Sequence, residues 1–193
     1  MDSAEADTRL LDAAEGLFYE RGVQAVGMDR IRATSGVPLK RLYQLYPSKA
    51  DLLQAYLERR DARWRAELAA FVAGRPAGDE RVLGVFDWLH RWFSEPSFRG
   101  CAFVNSFGEL GAVEPAVAEV ARAHKQAFHD YLAGLLEAAG RPRRLSAPLH
   151  LLAEGAITVA AVCGSPEPAR QAREAAAQLL TATGTPAPAT SPG

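Results

Sequence analysis

Hydrophobic residues recur along this chain at three- and four-residue spacings, the period of an α-helix packed on one face. No convincing run alternates apolar and polar residues at the period of a half-buried strand. The pattern predicts an all-α fold of about nine helices. The first is expected over about 7–21, with Leu10, Leu11, Ala14, Leu17 and Phe18 on one stripe and Gly22 as its stop. Two short helices follow, over about 28–35 and 39–46, joined by Ser35-Gly36-Val37-Pro38. Gly36 tolerates the positive φ such a turn needs and Pro38 fits a first helical position, so the two segments cross rather than continue. Pro47 ends the pair, and Ser48 is the expected N-cap of a long helix over about 49–72, whose stripe is Leu53, Leu57, Trp64, Leu68 and Phe71. Beyond the turn-forming stretch 73–78, helical patterns cover about 79–94, 97–110, 115–139, 145–163 and 167–182. Residues 183–193 are almost entirely Thr, Pro, Ala, Ser and Gly, the composition of a disordered tail. Three regions result: a small N-terminal helical domain over 1–50, a larger helical domain over 51–182, and the tail.

Composition changes this picture only locally. With 48% hydrophobic residues in 193, the chain can bury a substantial core, and its net charge of -1 carries no whole-molecule signature of a polyanion partner. Between residues 21 and 49, however, Arg21, Arg30, Arg32, Lys40, Arg41 and Lys49 face a single acid, Asp29. That local excess of five positive charges, carried on two short crossing helices, suits the phosphates of a nucleic acid. Cys101 and Cys163 stand far apart without Cys-x-x-Cys spacing, so neither a disulfide framework nor a zinc ribbon is indicated. Neither a secretory leader pattern nor an uninterrupted apolar run of membrane-spanning length appears, and a cytoplasmic location without membrane attachment is the expectation. Glycine-rich phosphate loops, Gly-x-Ser-x-Gly and His-Glu-x-x-His are absent from the sequence, so enzymatic function has no support, and no cofactor or metal is expected.

Residue order sharpens the reading. Leu17-Phe18, Arg21-Gly22, Ile31, Gly36-Val37, Leu42-Tyr43, Tyr46, Ser48-Lys49 and Leu52-Leu53 stand in register over some fifty residues. Through them the segment 8–61 resembles the N-terminal domain of the tetracycline-repressor (TetR) family of bacterial regulators. The resemblance implies a three-helix helix-turn-helix DNA-binding domain whose third helix enters the major groove, where each base pair shows a distinct donor and acceptor pattern. Leu39, Lys40 and Gln44 are then candidates for base-edge or sugar contact, Leu39 for a thymine methyl, Lys40 or Arg41 for guanine, and Gln44 for adenine, with Pro38 a further DNA-contact candidate before them. Tyr43 and Lys49 fall at positions that usually touch phosphate, with Arg30 and Thr34 as further phosphate candidates; Lys49 also opens a helix, whose free N–H groups favour an anion. Two departures stand out: Gly27 replaces a Ser or Thr cap, and Pro38-Leu39-Lys40-Arg41 replaces a pair of small residues.

The same resemblance implies a C-terminal domain that binds an effector and dimerises. Aromatics concentrate at Phe86, Trp88, Trp92 and Phe93 and again at Phe98, Phe103 and Phe107, while Cys101, Asn105 and Glu109 recur every four residues. Trp88, Trp92, Cys101, Phe103, Asn105, Phe107, Glu109, His124 and Phe128 are the candidate ligand-binding residues. His124 lies on the stripe of Val117, Val120, Ala121, Phe128, Leu132 and Leu135, where a satisfied core histidine is the first reading and a ligand-orienting group the second. Small residues on the last two helices, among them Ala153, Gly155, Ala156, Ala160, Ala172 and Ala176, suit a four-helix dimer interface. The expectation is a homodimeric repressor of a double-stranded palindromic operator, released by a small molecule. The alternatives are a redox- or metal-responsive regulator using Cys101 and an activator of the same fold.

Overall fold

The computed structural model describes residues 2–182. The tail expected over 183–193 lies outside them. Among the described residues there are nine α-helices and no strand: α1 (Ser3–Arg21), α2 (Met28–Ser35), α3 (Leu39–Leu45), α4 (Lys49–Ala73), α5 (Asp79–Phe93), α6 (Ala102–Leu110), α7 (Pro115–Ala138), α8 (Ser146–Cys163) and α9 (Glu167–Ala182), with a single 3₁₀ turn at Arg143–Leu145.

Several boundaries differ from the periodic reading, each for a local reason. Helix α1 starts four residues early because Asp2 caps it, its carboxylate accepting from the Glu5 amide at 2.8 Å. Helix α6 starts five residues late: Gly100 takes φ +83, and the Tyr19 hydroxyl holds the preceding segment by accepting from the Arg99 N–H at 2.9 Å and donating to the Gly100 carbonyl at 2.8 Å. Pro38 occupies the cap position of α3 rather than its first turn, with ψ at 141°. Ser48 does cap α4, and reciprocally: its Oγ accepts from the Asp51 N–H at 3.1 Å while the Asp51 carboxylate accepts from the Ser48 N–H at 2.9 Å.

The described residues gather into two compact units. The first joins residues 1–66 to 99–126, and the second joins 67–98 to the residues from 127 onward. Within the first, α1, α2 and α3 close over Leu10, Ala14, Ile31, Val37 and Leu42, each at most 1% exposed. Burying each such leucine or isoleucine contributes about 1.5–3 kcal/mol, enough together to hold a domain this small against α4. Polar contacts fix the angle between α1 and α4. The Glu15 carboxylate accepts from Arg59 at 3.1 Å, from Arg60 at 2.9 Å and from Arg63, and the Arg60 guanidinium lies 4.0 Å over the Tyr19 ring.

In the second unit α9 packs against both α5 and α8. Ala153, Ala156 and Ala160 of α8 and Ala172 and Ala176 of α9 are buried there, their small side chains letting the two helices approach closely. A bidentate pair from Arg141 to Asp79, at 2.8 and 2.6 Å, ties the turn after α7 to the first turn of α5. One face of α8 stays uncovered, carrying Leu151, Gly155, Val159 and Val162. The stretch Arg143–Cys163 is long and apolar enough to cross a membrane by length and composition alone, a test that the core helices of water-soluble proteins also pass.

Candidate functional site

Helices α2 and α3 are joined at Gly36, whose φ of +68° ends α2 in the left-handed conformation while its N–H closes on the Arg32 carbonyl at 3.0 Å. Val37 turns inward, and Ser35 Oγ accepts from its N–H at 3.3 Å. Helix α2 begins after Gly27 with no side-chain cap, as its sequence implies. Helix α3 then buries Leu42 alone, with Tyr46 at its cap donating to the Asp7 carboxylate of α1. Desolvation and that carboxylate both push the Tyr46 phenol pKa upward, keeping it a neutral donor.

Anchoring α3 on one edge leaves the opposite edge in solvent. Leu39 is 42% and Tyr43 45% exposed, Lys40 and Gln44 are exposed beside them, and Arg41, half-buried, donates to the Gln44 side-chain carbonyl at 3.3 Å. Arg30 and Thr34 are exposed on α2 and Pro38 on the turn, while Lys49 is half-buried at the start of α4. Among the described residues, no carboxylate within ion-pair distance neutralises Arg30, Lys40 or Arg41. Desolvation lowers the Lys49 pKa against the opposing charge of Glu109. All nine candidate DNA-contact residues thus fall in this first unit, most of them exposed.

The candidate ligand residues do not form one group. Cys101, Phe103 and His124 come together in the first unit. The His124 ring is stacked on Phe103 at 3.7 Å, meets the Trp64 edge at 5.1 Å and is 4% exposed. Its Nδ1 lies 2.6 Å from Asp61 Oδ1, it hydrogen-bonds Cys101, and the Lys125 ammonium lies 3.3 Å from the Cys101 sulfur. Burial opposes every charge here, yet the partners prevail: His124 is raised above the ordinary histidine range by Asp61 and Cys101, while Asp61 and Cys101 are lowered, Asp61 by His124 and Arg65 and Cys101 by His124 and Lys125. The four groups form a linked chain of ionisable side chains, His124 and Cys101 buried and Asp61 and Lys125 half-buried. On its Asp61 side a cavity of about 560 Å³ opens between α4 and α7, bounded by Glu58, Asp61, Ala62, Glu119, Val120 and His124.

Asn105 and Glu109 do other work. Asn105 donates to the Arg99 carbonyl at 3.0 Å, holding the bend before α6. The Glu109 carboxylate accepts from the Val23 N–H at 3.0 Å and the Gln24 N–H at 2.7 Å, in the turn that follows α1. Phe107 is exposed. Trp88, Trp92 and Phe128 belong to the second unit, where Trp88 stacks on Trp92 at 5.6 Å and Phe128 meets the edge of His150 at 5.3 Å. The sequence reading misses Asp61 and Lys125. Asp61 lies 63 residues from His124 and reads in sequence only as the i,i+4 partner of Arg65, so no local pattern marks it.

A small three-helix domain with a solvent-facing, cation-bearing third helix, joined to a larger helical region, defines a helix-turn-helix DNA-binding regulator. Comparison with known proteins places it further. Residues 10–56 match the family model described as bacterial regulatory proteins, tetR family. A crystal structure of a TetR-family transcriptional regulator from Streptomyces coelicolor is 32% identical, covers 93% of this chain and 96% of its own, and superposes with a TM-score of 0.84. The chain belongs to the TetR family of transcriptional regulators, a family of DNA-binding proteins rather than enzymes. A helix-turn-helix-type transcriptional regulator from Mycobacterium tuberculosis is 35% identical over 78 residues, a match spanning 40% of this chain and only 39% of that relative. The reduced form of NemR from Escherichia coli, 23% identical over 95% of this chain and 99% of its own at a TM-score of 0.83, shares the fold.

Proposed function

We propose that this regulator is a cytoplasmic homodimeric repressor that reads a palindromic operator with α3 and leaves it when a small molecule binds. The observation that carries the reading is the division of α3 into a buried edge, Leu42, and an exposed one bearing Leu39, Lys40, Tyr43 and Gln44. An edge anchored this way presents Lys40 and Gln44 as donors and Leu39 as an apolar contact to base edges, with Pro38 beside them and Arg30, Thr34, Tyr43 and Lys49 set around for phosphate. The uncovered apolar face of α8, with Leu151 71% and Val162 81% exposed, supports self-association through α8 and α9. Two-fold symmetry then sets the reading helices about 34–36 Å apart, one turn of DNA, or a multiple of it. Repression follows by excluding polymerase from the bound site.

For the effector, the cavity beside Asp61 and His124 has the volume of small-molecule sites, roughly 300–1,000 Å³. Phe103 and Cys101 contact His124, and the remaining candidates, Trp88, Trp92, Asn105, Phe107, Glu109 and Phe128, do not border this cavity. Ligand acts only through its differential affinity for the two states of the dimer.

Lys40→Ala and Arg41→Ala test the DNA assignment in a titration against operator selected from a random pool. A base-reading side chain relaxes preference at one position and costs about 1–3 kcal/mol, whereas a phosphate contact weakens all sequences alike and lowers the salt slope by about one. Parental affinity and salt dependence in both variants would sink the assignment.

A second reading has a specific observation in its favour. The Cys101 thiol lies against Lys125 and His124, cations that lower its pKa, and a thiolate is the form that reacts with oxidants and electrophiles. On this reading the signal is modification of Cys101 rather than reversible binding.

A further inference from the structure

Helix α6 carries at its start Cys101 and Phe103, which contact Lys125 and His124, and near its end Glu109, which grips the turn after α1. Six residues, about 9 Å of helix, separate Phe103 from Glu109. We propose that Glu109 is a positioning residue for DNA binding, the group through which α6 fixes the orientation of the α1–α3 head. The proposal rests on the dimeric operator reading above.

Three hydrogen bonds make the grip. Each carboxylate oxygen takes one consecutive backbone N–H, Val23 at 3.0 Å and Gln24 at 2.7 Å, and the Gln24 side-chain amide returns a bond to the Glu109 carbonyl at 2.8 Å. Hydrogen bonds to a charged acceptor are about twice as strong as neutral ones. Space is shaped for this contact too. Gly22 adopts φ +82°, which favours glycine, and a Cβ there would lie 3.0 Å from Glu109 Oε1, crowding the carboxylate. The Glu109 charge also reaches Lys49 at the start of α4. One side chain therefore engages the turn leading into α2.

The grip is also placed to respond. A cavity of about 150 Å³ lies beside it, bounded by Phe18, Tyr56, Ala102, Ser106 and Glu109 itself. The cavity leaves α6 less closely packed on this side, whereas close packing elsewhere resists movement. Moving α6 drags Val23 and Gln24 with it, because their N–H groups are held by the carboxylate rather than by the following helix.

Glu109→Gln keeps the shape and leaves one oxygen to accept; Glu109→Ala removes the grip entirely. The test compares binding of the dimer to the full palindrome selected by the parent and to a duplex carrying one half-site, alongside hydrogen exchange of the Val23 and Gln24 amides. Parent protein is expected to favour the full site by about 100-fold or more, the range of bivalent engagement. Glu109→Ala is expected to lose about tenfold or more of that preference while half-site affinity stays within about twofold, with both amides exchanging faster and Glu109→Gln falling between. Half-site and full-site affinity falling together would show a merely structural role and overturn the proposal. Faster exchange with the full preference retained overturns it as well. A parent protein that fails to distinguish the two duplexes removes the dimer reading itself, and this inference with it.

Discussion

At the scale of single residues, the informative group is Asp61, His124, Cys101 and Lys125, four ionisable side chains set in or against the core. Removing charges from water is costly, and what holds them is mutual pairing: Asp61 Oδ1 lies 2.6 Å from His124 Nδ1, and Lys125 lies 3.3 Å from the Cys101 sulfur. The raised His124 pKa contributes stability that is complete below the ordinary histidine pKa of about 6.5 and fades as pH rises through the higher folded value. The lowered Asp61 pKa contributes stability that is complete above about pH 4 and fades as pH falls through the lower folded value. Between those limits the pair contributes fully. Asp61→Asn is therefore expected to destabilise by about 1–3 kcal/mol near pH 5–6 in denaturant melts, with the deficit shrinking at alkaline pH. The same change lowers the His124 pKa, followed by imidazole NMR, and slows alkylation of Cys101 by iodoacetamide at neutral pH. An unchanged melting profile from pH 4 to 9 would show that the pairing carries no stability. Sequence reasoning found His124 and Cys101 by their places on helical stripes, but it had no means of supplying Asp61, because periodicity reports which face a residue occupies and not what meets it.

At the scale of elements, the turns were the most legible features and the helix starts the least. Gly36, Pro38 and Ser48 each announce a boundary through an intrinsic backbone or capping preference, and each sits within a residue of where that preference puts it. The start of α6 depended instead on Tyr19, some eighty residues upstream, holding Arg99 and Gly100. Two of the positive-φ glycines of the first unit, Gly22 and Gly36, separate two kinds of constraint. At Gly36 a Cβ meets nothing within 4 Å, whereas at Gly22 it meets the Glu109 carboxylate at 3.0 Å. Gly36→Ala is expected to cost about 1–2 kcal/mol, the backbone term alone, and Gly22→Ala more, because strain and the displaced carboxylate add. Thermal melts rank the two; equal losses would mean that the carboxylate moves aside freely.

At the scale of the whole molecule, the question is what covers α8. The small residues of α8 and α9 divide: Ala153, Ala156, Ala160, Ala172 and Ala176 are consumed in packing the two helices on each other, and the outward face is instead Leu151, Gly155, Val159 and Val162. Composition alone suggested the interface helices but not which of their faces remains available. Leu151→Glu places a charge on that face without touching the buried one. Sedimentation is expected to show a shift toward monomer with the helical content and melting cooperativity of the parent, and operator affinity is expected to fall with the loss of the second head. A variant that still sediments as the parent does would move the interface elsewhere.

The sequence by itself determined the all-α architecture, the helix-turn-helix and the family, because these rest on local physics: a 3.6-residue hydrophobic period, glycine and proline at fixed turn positions, and capping side chains one turn from the groups they satisfy. Tertiary structure alone decided the pairing of Asp61 with His124, the grip of Glu109 on Val23 and Gln24, and the exposed face of α8. Those contacts join residues 63 to 86 apart or divide one helix's surface between neighbours, and such meetings are fixed by how helices pack, a quantity no single stretch of chain encodes.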